Sequence, residues 1–269
     1  MEEHRLWITE VVNRVLGPAV LALLDALHIA PSDRKFPIPN HVAMEIVVLL
    51  LAVIFFLWLR QRISVERPGA SQQCMEMLLS NPMSVGARDL LKDMVGHHSE
   101  RYLPMIGTIG IFVLFCNLIS LVPGFMSPTA HVSVPFGCAL TVFVYYNFCG
   151  IRKSGFGYAK HFLGPILPLA IIMFPIEVVS NCARMLSLTV RLWVNMLVSE
   201  LLYSIFLGLL LGFFIFAKSV NAFFYVLVIL PLLGPLIFIA LHIFVAFLQA
   251  FVFTLLPIIY ISGAVAEEH

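Results

Sequence analysis

The sequence predicts an all-α integral membrane protein with about five to six membrane helices. Of its 269 residues, 61% are hydrophobic and only 12% are charged, and the mean hydropathy is +0.99. The apolar residues also stand in runs long enough to cross a bilayer, which takes about 20 residues. The net charge of +1 gives no electrostatic basis for binding nucleic acid.

The first two of three predicted regions cover residues 1–161. Residues 1–41 are expected to form an amphipathic segment on the outer side of the membrane, followed by a proline-rich linker. Residues 42–161 are expected to hold three spanning helices and a polar loop. The helices are predicted at 42–59, 103–122 and 134–150, and the loop at 60–101.

The third region, residues 162–269, holds two apolar segments, 162–217 and 220–262, each about twice as long as one crossing needs. Each segment is either two crossings or one long, strongly tilted helix. Two crossings need a polar turn midway, yet residues 181–195 of the first segment contain no Pro or Gly. Two tilted helices, packed as an antiparallel hairpin, are therefore favoured.

Basic residues in the loops predict the orientation. The stretches 60–101 and 151–161 carry nine basic residues, whereas the turns 122–133 and 217–222 carry one, Lys218. The first two stretches are therefore predicted to face the cytoplasm. This prediction places the N-terminus outside and the C-terminus in the cytoplasm.

Ionisable side chains lie inside the two long segments, where charge is costly and is usually kept for ion movement or for a partner's charge. Glu177, Arg184 and Arg191 are spaced by seven, so they share one face of a helix. Ser180 lies four residues before Arg184 and extends the same polar stripe. Glu200 is nine residues past Arg191, about 180° around the helix, and is expected to line a different cavity.

On the other segment, His242 and Gln249 are also seven apart. If the segments pack antiparallel around a turn near residue 220, the numbers of facing residues add up to about 440. That register sets Arg191 beside Gln249. It also sets Glu200 near His242, on the outer side of Arg191. Because Glu and His exchange protons and Arg does not, the layout favours ion transfer with an arginine barrier.

Several other polar residues have plainer interpretations. Arg184 either neutralises Glu177 or reaches the cytoplasmic headgroups. His131, in the outer turn, is a candidate for the outer mouth of an ion path. A metal site at His97 and His98 is not expected, since no cluster of further ligands accompanies them. The five cysteines show no paired spacing and are expected to pack.

Residues 191–200, Arg-Leu-Trp-Val-Asn-Met-Leu-Val-Ser-Glu, resemble the Arg-Leu-Phe-Gly-Asn-Met pattern, with a Glu shortly after, of subunit a of F-type ATP synthases. Residues 241–253, with the His–Gln spacing, resemble the last helix of that family. The likeness extends to three shorter stretches, at 37–40, 121–124 and 267–269. The chain departs from the family pattern at Trp193, at Val194 and, in the outer turn, at His131 and Ser133.

The resemblance implies a non-catalytic stator subunit, without a cofactor, in the cell inner membrane. Its partners would be a rotating ring of c subunits, the b subunits of the peripheral stalk and the lipid bilayer. Protons, or sodium ions in some members, would enter by one half-channel, load a carboxylate of the ring and leave by a second half-channel.

The resemblance also implies roles for individual residues. Arg191 would be the essential stator arginine, with Gln249 as its neighbour. The outer half-channel would be lined by Asn195, Glu200 and His242. The inner half-channel would be lined by Glu177 and Ser180.

Two other classes of membrane protein are expected to show different sequence features. A secondary transporter is expected to show internal repeats and broken helices around a substrate site. A membrane-embedded enzyme is expected to show a metal motif or a nucleophile with its base. No convincing repeat or catalytic arrangement of this kind is visible in the sequence, so the stator interpretation is favoured.

Overall fold

The computed structural model describes residues 6–28, 34–64, 68–79, 86–96, 99–122, 125–155, 170–220 and 229–265. Within these ranges the regular structure is helical and no strand occurs. Six of the helices are long and apolar enough to cross a membrane. The predicted all-α membrane class, with five to six membrane helices, is confirmed.

Eight α-helices occur in the described ranges. They are α1 (Trp7–Ala26), α2 (Asn40–Gln61), α3 (Ala70–Leu79), α4 (Ala87–Val95), α5 (Leu103–Leu118), α6 (Ser133–Ser154), α7 (Ala170–Val220) and α8 (Ile229–Val265). Short 3₁₀ turns lie at Ser99–Arg101, Ile119–Leu121 and Pro128–Ala130.

The two long apolar segments each form a single helix, as predicted. Helix α7 contains 51 residues and α8 contains 37. At about 1.5 Å per residue α7 is about 77 Å long, more than twice the roughly 30 Å of hydrocarbon. A helix of that length stays within a bilayer only when strongly tilted. Helix α7 continues to Val220, and residues 221–228 lie outside the described ranges.

Helices α7 and α8 pack antiparallel in a register that differs from the predicted one. Three contacts define it: the Arg184 guanidinium lies over the Tyr260 ring, Asn195 bonds Gln249, and the rings of Phe206 and Phe238 lie 4.3 Å apart. The residue numbers in each pair add up to 444, compared with the expected 440. The shift of four residues is about one helical turn.

In the described part of the chain the core contains three clusters along α5. The first joins α4, α5, α6 and α8 and contains Leu91, Tyr102, Ile106, Val142, Tyr146, Ile258, Ile261 and Val265. The second joins α5 and α6 to the middle of α7 and α8 and contains Val113, Ala139, Leu188, Leu192, Met196 and Phe253. The third joins α2 to the end of α5 and contains Met44, Val48, Cys116 and Ile119. Packing on α5 therefore holds the two long helices beside the end of α5 and the turn that follows it.

The stretch 60–101, predicted as a polar loop, instead contains two helices, α3 and α4. Leu91 on α4 is 1% exposed and packs in the first cluster, which also contains Ile258. Ser262 at the end of α8 donates a hydrogen bond to the carbonyl of Met94 at 2.6 Å. Helix α4 is amphipathic, but its charged residues make the stretch polar on average. Counting charges therefore predicted a loop.

Helix α1 is anchored to the linker that precedes α2. The buried Asn13 side chain donates to the carbonyl of Ile38 at 2.9 Å and accepts from its N–H at 3.0 Å. Trp7 contacts Phe125 edge to face, with ring centroids 6.3 Å apart. These contacts lie at the end of α2 that begins with Asn40, beside the turn between α5 and α6.

Candidate functional site

A cavity of about 640 Å³ lies between the end of α5, the turn before α6, and helices α7 and α8. Its polar lining residues are Ser120, Asn195, Ser199, Glu200, Tyr203 and His242. The other walls are mostly aliphatic and aromatic. The structure thus brings together Asn195, Glu200 and His242, three residues that the sequence singled out on two different segments.

Glu200 is held by a backbone group that sequence reasoning missed. The N–H of Ser127, in the turn before α6, donates to Glu200 Oε1 at 2.8 Å. The expected partner, His242, lines the same cavity, but no hydrogen bond joins it to Glu200 among the described residues. A backbone N–H is present at every non-proline residue, so no sequence signal marks this contact.

His242 is held by the end of α5. Its Nε2 lies 3.0 Å from Ser120 Oγ and 3.1 Å from the carbonyl oxygen of Asn117. Ser120 also donates to that carbonyl at 3.0 Å. Sequence reasoning missed Asn117 and Ser120, although both are polar residues inside the apolar run 103–122, a signal of the same kind as that of Glu200.

The turn that carries Ser127 is itself fixed by buried hydrogen bonds. Ser127 Oγ donates to the carbonyl of Cys116 at 2.9 Å and lies 2.7 Å from Thr129 Oγ1. Thr129 Oγ1 in turn donates to Asn117 Oδ1 at 2.7 Å. Ser127, Thr129 and Asn117 have no solvent exposure. The groups that hold Glu200 and His242 therefore belong to one rigid polar junction between α5 and α6.

Gln249 on α8 contacts Asn195, which lies one helical turn from Arg191, the neighbour that the predicted register assigned. Asn195 Nδ2 donates to Gln249 Oε1 at 3.1 Å, and Gln249 is fully buried. Within the described ranges Gln249 Nε2 has no hydrogen-bond partner. The amide pair follows from the one-turn shift between α7 and α8.

Arg191 is exposed on α7, about 100° around the helix from the middle of the face that fills the core. Leu188, Leu192 and Met196 fill the second cluster, whereas Arg191 is exposed along with Val194. Among the described residues Arg191 has no ion pair or hydrogen bond. An exposed guanidinium on a membrane helix needs a compensating charge or water, because hydrocarbon cannot solvate it.

The inner residues form a looser group. Arg184 lies 3.9 Å from Glu177, the separation of a long ion pair, which fits the first of its two predicted roles. Its guanidinium also lies 5.6 Å from the centre of the Tyr260 ring. Ser180 is half-buried one turn before Arg184.

Sequence reasoning also missed a chain of side-chain hydrogen bonds next to this group. The hydroxyl of Tyr146 donates to Asn181 Oδ1, and Asn181 Nδ2 lies 3.4 Å from Asn147 Oδ1. Asn181 is 5% exposed. The chain links α6 to the first half of α7, one residue past Ser180.

His131 stacks on His41, with ring centroids 3.8 Å apart and planes 2° apart. Its Nδ1 lies 2.8 Å from Ser133 Oγ. It is not among the residues that line the described cavity. His97, His98 and the tail 267–269 lie outside the described ranges, in which no cluster of three metal-ligating residues occurs.

Comparison with known proteins identifies the family. A sequence model of the ATP synthase A chain matches residues 42–262. ATP synthase subunit a of Koribacter versatilis is 38% identical over 267 residues, which cover 99% of each chain. The same subunit of Solibacter usitatus is 41% identical over 96% of this chain and 99% of its own, and that of Geotalea uraniireducens is 37% identical over 92% and 94%. The chain therefore belongs to the ATP synthase A chain family.

Proposed function

We propose that this chain is the proton-translocating stator subunit of an F-type ATP synthase. It forms two offset aqueous half-channels against a rotating ring of c subunits, and the ATP chemistry lies on other subunits. Membership of the ATP synthase A chain family supports this role, because it ties the chain to ATP synthesis and proton transport in a membrane.

The observation that carries the proposal is the exposed Arg191 on α7. Arg184, seven residues earlier, has Glu177 beside it, whereas Arg191 has no ion pair within the described part of the chain. Arginine side chains carry a permanent positive charge in proteins. A carboxylate on a neighbouring ring, presented to the open side of α7, supplies the missing counter-charge.

The cavity beside α5 suits the outer half-channel. Asn195, Glu200 and His242 line it, and carboxylate and imidazole groups pass protons to and from water readily. Proton-exchanging groups around a volume large enough for many water molecules give the ring carboxylate a route to one side of the membrane. His131 stays a candidate for the outer mouth, where it would stack with His41.

The inner half-channel is proposed to run along Glu177 and Ser180. Both lie on α7, on the other side of Arg191 from Glu200. Arg191 then separates the two paths and repels a proton that would cross directly. This separation is essential, because a proton that crosses 100 mV releases about 2.3 kcal/mol, and rotation captures that energy only when direct leakage is blocked.

The orientation and remaining partners complete the proposal. The ends of α2 and α6 that carry Arg60, Arg62, Arg152 and Lys153 face the cytoplasm of a cell inner membrane. The C-terminus is then cytoplasmic, and the N-terminus is outside with α1 on the outer surface. The contacts of α1 with the beginning of α2 and with Phe125 support that position. The b subunits of a peripheral stalk and the bilayer are its other partners, and the transported ion is a proton or a sodium ion.

Cross-linking tests the central contact. A cysteine in place of Val194, exposed next to Arg191, is expected to cross-link to the carboxylate-bearing helix of a ring subunit in native membranes. Val144→Cys on α6 is the matched control, since it is also exposed but on another helix. Equal cross-linking at both positions, or none at Val194→Cys, contradicts the proposal.

Purification separates the rival classes. Co-isolation with a ring of small proteolipids supports the stator, whereas a chain that is isolated alone and binds a solute supports a transporter.

A further inference from the structure

The hydrogen bonds of His242 determine which ring nitrogen carries the hydrogen. Its Nε2 lies 3.1 Å from the carbonyl oxygen of Asn117. A carbonyl oxygen can only accept a hydrogen bond, so Nε2 must be the donor. The opposite tautomer would direct the lone pair of Nε2 at the lone pairs of the carbonyl.

Ser120 points to the same tautomer. Its hydroxyl donates its single hydrogen to the Asn117 carbonyl at 3.0 Å. Its lone pairs are therefore left for His242 Nε2, 3.0 Å away. Both neighbours of Nε2 act as acceptors, so the neutral ring has a bare Nδ1. Among the described residues this Nδ1 has no hydrogen-bond partner.

The two carboxylate oxygens of Glu200 differ in the same way as the two ring nitrogens of His242: in the part of the chain that the structure describes, one has a hydrogen-bond partner and the other does not. Oε1 accepts the Ser127 N–H at 2.8 Å, and the buried bonds of Ser127 and Thr129 fix the position of that N–H. Within the described ranges Oε2 has no hydrogen-bond partner. The side chain lines the cavity together with His242.

We infer that the end of α5 and the turn that follows it reserve one atom of each group for positioning and leave the other for proton exchange. His242 takes up and releases its proton at Nδ1, while Nε2–H stays on the Asn117 carbonyl. Glu200 does so at Oε2, while Oε1 stays on the Ser127 N–H. Asn117, Ser127 and Thr129 are positioning residues. This inference rests on the proposed outer half-channel and assigns its proton-exchanging atoms.

Nitrogen NMR of the assembled complex tests the assignment for His242. Histidine labelled with ¹⁵N is incorporated, and the His242 signals are identified as those missing from a His242→Gln sample. The expected neutral form has hydrogen on Nε2 and none on Nδ1. A neutral form with hydrogen on Nδ1 overturns the inference.

Ser120→Ala separates the two acceptors of His242. It removes the hydroxyl but leaves the Asn117 carbonyl, so the same tautomer is expected to persist. A switch to the Nδ1–H form in Ser120→Ala would show that the carbonyl does not hold Nε2, and it would overturn the inference.

Two substitutions at Ser127 test the Glu200 half. Ser127 has φ −69°, which proline adopts without strain, so Ser127→Pro deletes the N–H along with the hydroxyl. Ser127→Ala deletes only the hydroxyl and is the matched control. In complexes that assemble equally, proton uptake is expected to be about tenfold slower in Ser127→Pro than in Ser127→Ala. That factor corresponds to the free energy of one hydrogen bond to a charged group. Equal rates contradict a positioning role for the N–H.

The NMR outcome stands apart from the proposed function, because the tautomer is measured without proton flow. An Nδ1–H ring in a complex that still couples protons to synthesis refutes the atom assignment alone. Normal coupling in Arg191→Ala membranes refutes the proposed function and leaves the tautomer result unaffected.

Discussion

The outer and inner polar groups on α7 are built in different ways. Around Glu200 and His242 the hydrogen bonds measure 2.7–3.1 Å and end on backbone groups or buried side chains. Around Glu177 the main contact is an ion pair at 3.9 Å, whose side chains are 42% and 30% exposed. Short hydrogen bonds fix direction, whereas a long, half-exposed ion pair compensates charge and leaves the side chains room to move.

The difference indicates that the two ends of the proposed ion path have different requirements. The outer group has its donors and acceptors set in place by a rigid junction. The inner group relies on charge balance, and its rigid part is the neighbouring Tyr146–Asn181–Asn147 chain, which ties α7 to α6. Arg191 lies between the two groups, so changes there and in each group are expected to differ in size and in kind.

The largest effect is expected at Arg191. Arg191→Ala is expected to abolish proton-driven ATP synthesis, because nothing then separates the two groups. Arg191→Lys is not expected to restore it well, since the planar fork of donors is lost. Arg184→Ala is the control, as it removes a charge that already has a partner. Synthesis rates in inverted membrane vesicles measure all three, and a normal rate in Arg191→Ala would refute the barrier role.

The second effect concerns the outer pair. Glu200→Gln and His242→Gln are each expected to slow ATP-driven proton pumping, because each removes a proton-exchanging group from one cavity. The double substitution is expected to pump more slowly than wild type. Its fold reduction in rate is expected to be smaller than the product of the two single reductions, because the two residues act as one unit. If the double variant pumped like wild type, Glu200 and His242 would not belong to the outer half-channel. If the free-energy losses of the two single variants were fully additive, the two residues would not act jointly.

A smaller effect, on stability, is expected at the inner group. Tyr146→Phe leaves the buried Asn181 oxygen without the hydroxyl and is expected to cost about 1–3 kcal/mol. Glu177→Gln breaks only a half-exposed pair and is expected to cost less than about 1 kcal/mol. Thermal unfolding of the purified complex compares them, with Tyr203→Phe as the control for loss of an exposed hydroxyl. A larger loss of stability in Glu177→Gln than in Tyr146→Phe would contradict the expectation that the buried hydrogen bond matters more than the half-exposed ion pair.

The smallest effect lies outside the membrane helices. Arg88 donates to Glu100 at 2.6 Å, and this hydrogen bond and the arginine charge lower the pKa of Glu100. A lowered pKa contributes stability above the ordinary pKa of a glutamate and loses it as the pH falls through the folded-state value. Glu100→Gln is therefore expected to lower thermal stability slightly at pH 7 and not at all well below about pH 4. A pH-independent difference would exclude this linkage.

Sequence reasoning predicted the fold and the ionisable residues better than the site's contacts. Long apolar runs predicted the membrane helices, because hydropathy is a local property. Charges hid the amphipathic helix α4, whose Leu91 completes the core. A charged residue in an apolar run is conspicuous, so Arg191 and Glu200 were found. Ser127 was not, since a serine in a turn is ordinary and the contact uses its backbone.

The membrane class, the two long helices and the identity of the ionisable residues follow from the chain read alone, because the cost of placing charge in hydrocarbon depends on a residue and its neighbours along the chain. The register of α7 against α8 needed the folded molecule. An offset of one helical turn is settled by packing between distant side chains, such as Phe206 on Phe238. That offset sets Asn195 against Gln249, and only the packing of the end of α5 and the turn after it determines which atoms of Glu200 and His242 are held.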